Sequence, residues 1–254
     1  DGTRLWLLIS QVEHARIGGE LARRWIAPPQ LNAALRDEVL EAITHHDDGW
    51  ANWDAAPSID PAHGRPYSFM NEMPLGESLA IWDDSISTAR AIGPLAGWMV
   101  ASHFNGLLKD GKHTDDPRAI DWLEKNDTRR DNWLRQWLAA DKRHSAEIAD
   151  CAVRLLRGCD FLSLWLCCDV PVAVDEICNE LTPFELHWPE ATFRFMPLRT
   201  LSDAEESNER LTKSGWSVVG QPWPFVSEGI EMTADAWSAP VHFYNSIEKL
   251  MAVR

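Results

Sequence analysis

The stretch from 148 to 168 is apolar almost all round, and a helix of that kind has to be covered on every side. It therefore calls for several further helices packed around it, and a mainly helical core is the direct way to supply them. Within the stretch lies a carboxylate, Asp160, in the run Cys159-Asp160-Phe161-Leu162-Ser163-Leu164. A carboxylate in such surroundings is costly unless it has a cation, so Asp160 predicts a metal ion or an arginine beside it.

The rest of the chain offers the covering helices. Val12, Ala15, Gly19, Ala22 and Ile26 recur at helical spacing and predict a helix over about 8–26, stopped by Pro28-Pro29. A second helix is predicted from about Gln30 to Asp48, with Leu35, Val39, Ile43 and His46 on one face and Gly49 as its stop. Residues 51–77 carry Pro57, Pro61, Gly64, Pro66, Pro74 and Gly76 and read as a long irregular loop, a feature that often serves function. Helical pattern returns at about 77 and continues with breaks to about 169, the charged part from 117 to 147 reading as a solvated face.

From Pro171 the periodicity changes. Residues 184–188 and 192–196 alternate as strands do, with Pro189-Glu190 between them, and 216–219 and 229–233 are further strand candidates. A short helix is expected from about Val241. The expected architecture is mainly α: a multi-helix core over 1–170 and a small β-rich, α+β appendage over 171–254.

Charge and cysteine usage narrow the function classes. The net charge is −15 and no basic stripe is present, which argues against binding a nucleic-acid backbone. Such a field also repels anionic substrates unless a metal or a local arginine offsets it. The five cysteines, Cys151, Cys159, Cys167, Cys168 and Cys178, form no CxxC pair and read as buried thiols of a reducing compartment. No apolar run approaches the roughly 20 residues of a membrane span. Leu5-Trp6-Leu7-Leu8-Ile9 lacks the charged lead and small-residue cleavage site of a signal peptide. The expectation is a cytoplasmic protein whose partner is a small-molecule substrate, not a nucleic acid or a membrane. The 14 tryptophans include Trp50, Trp53, Trp188 and Trp223 beside charge or proline, where amphipathic rings suit the wall of a wet cleft.

The sharpest chemical signal is Ala42-Ile43-Thr44-His45-His46-Asp47-Asp48-Gly49-Trp50. His46 shares the face of Val39 and Ile43, and Asp47 aligns with Leu40 and Ile43, so two adjacent ionisable groups turn inward at a helix end. A metal ion neutralises such a pair, whereas the competing reading is a solvated helix terminus. Imidazole with carboxylate suits Fe, Mn, Zn, Co or Ni better than Ca or Mg. His14 lies on a face with Gln11, Gly18, Leu21 and Trp25, and Gly18 leaves space beside it. His103 lies with Leu95, Met99, Val100 and Leu107, as a core residue or a ligand. The candidate ligands are His14, His46, Asp47 and Asp160, for a divalent ion. Asp48 and His103 are the candidates for proton transfer. Trp50, Trp53, Arg65 and Phe69, at the helix end and on the loop that follows, are candidates to close over a substrate. Arg16, Arg23, Arg24 and Arg65 are the nearest cations in sequence, and each reads first as surface solvation. His45 is not expected to be a ligand, and His63 is either a lid residue or an ordinary exposed histidine.

The order of His14, then His46-Asp47, then Asp160 along the chain resembles the HD-domain superfamily. That resemblance implies an HD-like all-helical core holding a metal through these four side chains, with His103 able to serve a second ion. It implies phosphohydrolase chemistry on nucleotides or phosphoesters in most cases and iron oxygenation in a few. The chain is also similar, over nearly its whole length, to a bacterial family of unknown function. The matching positions are Ala42-Ile43, His46 to Trp50, Trp53-Asp54, Pro57, Asp60, Gly64, Pro66, Ser102-His103, Leu107, Asp160, Ser163-Leu164 and Pro222 to Phe225. Gly49-Trp50 and the Trp53–Pro66 loop depart from the HD pattern. Three readings stand: a metal-dependent hydrolase of a small phosphoester or nucleotide, a di-iron oxygenase, and a non-catalytic metal- or metabolite-binding protein. A four-helix bundle with a histidine-rich site is the alternative architecture.

Overall fold

The first helix begins where Ser10 turns the chain: its hydroxyl accepts the Glu13 amide at 3.1 Å, and α1 runs Gln11–Arg24. In this computed structural model, which describes residues 5–26, 28, 31, 33–68, 73–168, 183–189, 191–198, 217–227, 230 and 232–252, the residues before Ser10 are not helical. They form β1 (Leu5–Ile9), antiparallel to a strand at Ala236–Pro240, with Leu7 opposite Ser238. The expected helix from residue 8 is corrected here, because the strand owes its existence to a partner at the other end of the chain.

The second helix, α2, spans Ala33–Thr44 and stops short of His45. A 3₁₀ turn at Asp48–Trp50 leads into α3 (Ala51–Ala55), and a two-residue hairpin follows, β2 (Ile59–Asp60) with β3 (Arg65–Pro66). The stretch expected to be irregular therefore carries short elements. Gly64 has φ +62 in the hairpin turn, a backbone region that glycine enters without strain.

Four long helices complete the core: α4 (Leu75–Ile92), α5 (Pro94–Lys109), α6 (Pro117–Ala140) and α7 (Ala146–Cys168). Glu38 of α2 holds the start of α5, its Oε1 accepting the amides of Leu95 and Ala96 at 3.0 and 3.1 Å. α7 packs against α1, α2 and α5, but Asp150, Arg154, Phe161 and Cys168 are exposed, so the helix is central without being covered on every side as expected. Its own Leu156 and, around it, Ile17, Val39, Ile43 and Met99 are fully buried, each burial stabilising by about 1.5–3 kcal/mol. α6 buries only Ala119, Trp122, Asn126 and Trp137 among its described residues, in keeping with a solvated outer face.

The C-terminal part holds a three-stranded sheet in the order β4-β5-β6, formed by Phe184–His187, Thr192–Leu198 and Ser217–Gln221. Glu185 and His187 are exposed whereas Phe184 and Leu186 turn toward the helices, and buried Phe195 faces Phe184 and Gly220. Trp25, at the end of α1, meets Trp188, Phe193 and Phe225 at ring separations of 5.3–5.9 Å and joins the sheet to the core. The architecture is mainly α with a small β-rich C-terminal part.

Several local expectations shift. The last strand, β7, is Ala236–Pro240. Residues 230, 232 and 233 are in no strand, and 229 and 231 lie outside the described residues. The closing helix, α8, is Ile247–Met251 and not Val241 onward. Cys151 and Cys159 are buried, but Cys168 ends α7 and is exposed, against the expectation of buried thiols throughout. Phe69, Cys178, Trp216 and the expected boundary near 170 lie outside the described residues. Among the described residues no helix is long and apolar enough to cross a membrane.

Candidate metal centre

The end of α2 is pressed against α4. The Gly49 amide donates to the Ser85 hydroxyl at 3.0 Å, and a Cβ at position 49 would run into the Ile81 carbonyl and the Ser85 amide. Glycine is needed there for close approach, and not merely as a helix stop. The contact turns His46 and Asp47 inward, to 0% and 6% exposure. From α1, α5 and α7, His14, His103 and Asp160 reach the same point, each no more than 3% exposed. The space expected beside His14 at Gly18 is filled by α7: a Cβ there would sit in ordinary contact, 3.5 Å from the Cys159 carbonyl and the Ser163 hydroxyl.

Two hydrogen bonds fix the histidine tautomers. The Ile43 carbonyl can only accept, so His46 Nδ1 donates to it, at 2.7 Å. The Ser163 hydroxyl donates to the Asp160 carbonyl at 2.7 Å and so accepts from His14 Nδ1 at 3.1 Å. In a neutral ring both Nε2 atoms then carry lone pairs. Yet His14 Nε2 stands 2.8 Å from Asp47 Oδ2, and His46 Nε2 stands 3.1 Å from Asp160 Oδ1. Lone pairs face carboxylates in a buried place, an arrangement that requires a proton or a cation between them.

The cluster is tight. His46 Nε2 lies 3.8 Å from Asp47 Oδ2, His14 Nε2 lies 3.9 Å from Asp160 Oδ1, and His103 Nε2 lies 3.6 Å from Asp160 Oδ2. Two overlapping trios, His14 with His46 and Asp47, and His46 with His103 and Asp160, each bring their ligand atoms within 4.8 Å of one another and could hold a metal ion. His103 Nδ1 is buried with no hydrogen-bond partner among the described residues.

Without a metal, protons must balance the charge. Burial opposes a charge on His46, but the carboxylates of Asp47 and Asp160 outweigh it and lift the imidazole to about 9. Burial likewise opposes ionisation of Asp160, but His103, His46 and His14 outweigh it and hold the carboxyl at about 2. Burial dominates at His103 and pushes it down to about 4, so this ring is neutral.

A cleft of about 350 Å³ opens onto the cluster, with His46 buried behind its lining residues. His14, Asp47, His103 and Asp160 line it with Gln11, Trp50 and Ser78, and Lys112 and His113 lie at its rim. Of the other expected residues, Trp50 is buried in the cleft wall, and Trp53 packs edge-on against it at 5.5 Å. Trp53 lines a neighbouring cavity of about 600 Å³ instead, and Arg65 on β3 lines neither. Asp48 is held by His45 Nδ1 at 2.9 Å and is not among the cleft residues. Arg16 is taken by Glu13 and the Thr233 carbonyl, and Arg24 by Glu20, as surface solvation predicts.

Some residues of the site have no expected role in the sequence reading. Ser163 orients His14, and its place three residues after Asp160 on the same helix was a legible signal. Asp54 accepts the amides of Gln11 and Val12, at 2.9 and 3.3 Å, and so anchors the start of the helix that carries His14. Burial raises Asp54 to about 6, with those two amides opposing the shift. No local spacing links positions 43 residues apart, so Asp54 was not readable in advance.

Residues 2–238 match a family described as a protein of unknown function (DUF3891), and the chain belongs to that family. No curated protein and no solved structure matches it.

Proposed function

We propose that this chain binds a divalent transition metal through His14, His46, Asp47 and Asp160 and hydrolyses a small phosphoester or nucleotide in the cleft above. The observation that carries the proposal is the convergence of two Nε2 lone pairs on two buried carboxylates, with both Nδ1–H groups already committed elsewhere. The donor set of imidazole and carboxylate fits Fe, Mn, Zn, Co or Ni. The resemblance to HD-domain proteins adds support by analogy, at the same four residues.

A metal held there supplies a Lewis acid and a water of lowered pKa. The chain supplies the rest. The Ile43 carbonyl and the Ser163 hydroxyl hold the two rings in the tautomer that presents Nε2. Hydrolysis adds one water across the ester: its oxygen bonds to phosphorus, the ester P–O bond breaks, and a water proton ends on the leaving oxygen. His103, neutral and lining the cleft, is the group that would take up that proton and return it to the leaving oxygen. Asp48, engaged by His45 outside the cleft, is assigned no step.

A second reading has one observation in its favour. The trio of His46, His103 and Asp160 offers a place for a second ion, which a di-iron oxygenase requires. Metal analysis of protein purified without chelator or added metal, as wild type and as His46→Ala, decides between them. Near-stoichiometric metal in the wild type, lost with phosphoesterase activity in the variant, is the expected result. Two irons with oxygen uptake would move the assignment to the oxygenase. A wild type that stays empty after metal is supplied would overturn both and leave a metabolite-binding protein.

A further inference from the structure

We infer that the substrate is a phosphate monoester with an apolar, preferably aromatic, body, and not a polyphosphate or a sugar phosphate. The inference takes from the proposed function only that the phosphate end meets the His and Asp side chains of the lining. Beside them the lining includes Trp50, Trp82, Phe104, Leu107, Phe161 and Leu164. Trp82 and Phe104 stack nearly parallel, 5.2 Å apart at 18°, with Phe104 itself buried, so the half-buried Trp82 is backed by a fixed ring. Phe161, next to Asp160 on α7, is 41% exposed although it lines the cleft. A large ring held partly in water at the edge of a concave site gains its burial when an apolar ligand arrives. Gln11 and Ser78 are the uncharged polar side chains of the lining, too few to pair the hydroxyls of a ribose and the charges of a polyphosphate.

Cations are correspondingly sparse. Among the described lining residues Lys112 is the one permanent cation, on the exposed connection between α5 and α6, with His113 beside it. The arginines nearest the site in sequence are engaged elsewhere, and the protein carries a net charge of −15. One rim lysine against that field does not offset the charge of a triphosphate chain. The cleft volume, about 350 Å³, is on the order of ten waters and matches a one- or two-ring molecule.

Calorimetric binding to the wild-type protein tests this with three probes: naphthalen-1-ylmethylphosphonate, ribose 5-phosphate and ATP. The naphthyl probe should bind at least about tenfold more tightly than either of the others. Phe161→Ser should weaken it by about tenfold and leave ribose 5-phosphate unchanged. Lys112→Ala should weaken it less, and the remaining affinity should depend less on salt. Equal or tighter binding of ATP or ribose 5-phosphate, or indifference of the naphthyl probe to Phe161→Ser, would overturn the inference. The uncharged naphthalene-1-methanol separates this inference from the metal assignment. If the protein proves metal-free yet binds that alcohol in a Phe161-dependent way, the apolar cleft stands while the metal reading falls.

Discussion

Two His–Asp pairs stand side by side at the end of α2, and they differ in almost everything except composition. His45 and Asp48 meet at 2.9 Å with 40% and 28% of their side chains exposed. His46 and Asp47 reach their partners, Asp160 and His14, at 3.1 and 2.8 Å with at most 8% exposed. A third pair, His63 with Asp60 on the β2–β3 hairpin, is shorter still at 2.5 Å, yet His63 is 64% exposed. Contact length therefore does not separate them. Burial does, because water can replace either partner of an exposed pair and neither partner of the inner ones. His103 also approaches the partner of His46, 3.6 Å from Asp160 Oδ2 and buried, whereas the third group of the outer pair, Glu41 at 3.5 Å from His45 Nε2, is exposed.

The largest expected effect lies in the inner pair of the metal-free protein. Replacing His46 by Ala leaves Asp47 and Asp160 buried with one cation fewer, at a cost of about 3–5 kcal/mol in urea unfolding. The pH profile has a definite sign. His46 in the folded chain, at about 9, sits above its ordinary 6.5, so the native state keeps a proton that the unfolded chain gives up. The stability this contributes is complete below about pH 6.5 and is lost as pH rises through 9. Asp160 acts in the other direction: its contribution is complete above 3.8 and is lost as pH falls through about 2. Unfolding midpoints of chelator-treated protein should thus decline between pH 6.5 and 9, and His46→Gln should flatten that decline. A wild-type profile already flat in this range would mean that no proton bridges the inner pair.

The next effect concerns what turns the inner pair inward. Gly49→Ala places a methyl group against the backbone of α4, and that backbone cannot move as a side chain can. A loss of about 1–3 kcal/mol is expected, with weaker metal retention as His46 and Asp47 are displaced. Unchanged thermal stability in this variant would show that α4 does not set the turn.

How much of this was legible follows from the range of the interactions. The helical core, the central α7 and the inward His46-Asp47 were readable because periodicity along one helix decides which face is buried. The adjacent strands β4 and β5 were readable for the same reason. β1 was not, since Leu5–Ile9 becomes a strand through Ala236–Pro240 and nothing within Leu5–Ile9 says so. The role of Gly49 was half legible: a glycine after a helix suggests a stop, and the backbone of α4 beside it is a tertiary fact. That Asp48 bonds His45 and stays out of the cleft depends on the 3₁₀ turn breaking the helical phase after Thr44.

A smaller effect is expected one bond further out. Ser163→Ala removes the acceptor that fixes the His14 tautomer but takes away no ligand. Metal affinity should fall by roughly 10- to 100-fold with the fold intact, as for other groups that orient a ligand from behind. Competition with a chelator would read the change, and an unchanged affinity would show that His14 needs no orientation or is no ligand.

The smallest effect is the one that tests the comparison itself. His45→Ala breaks a contact as short as those of the inner pair, but its atoms already exchange with water. Stability should move by no more than about 0.5 kcal/mol, and metal content should not change. His63→Ala should behave likewise, although its contact with Asp60 is the shortest of the three. Should either variant shed metal or unfold as readily as His46→Ala, burial would not be what distinguishes these pairs. The division of His45-His46-Asp47-Asp48 into a solvated outer pair and a buried inner pair, the one proposed to bind metal, would then have to be abandoned.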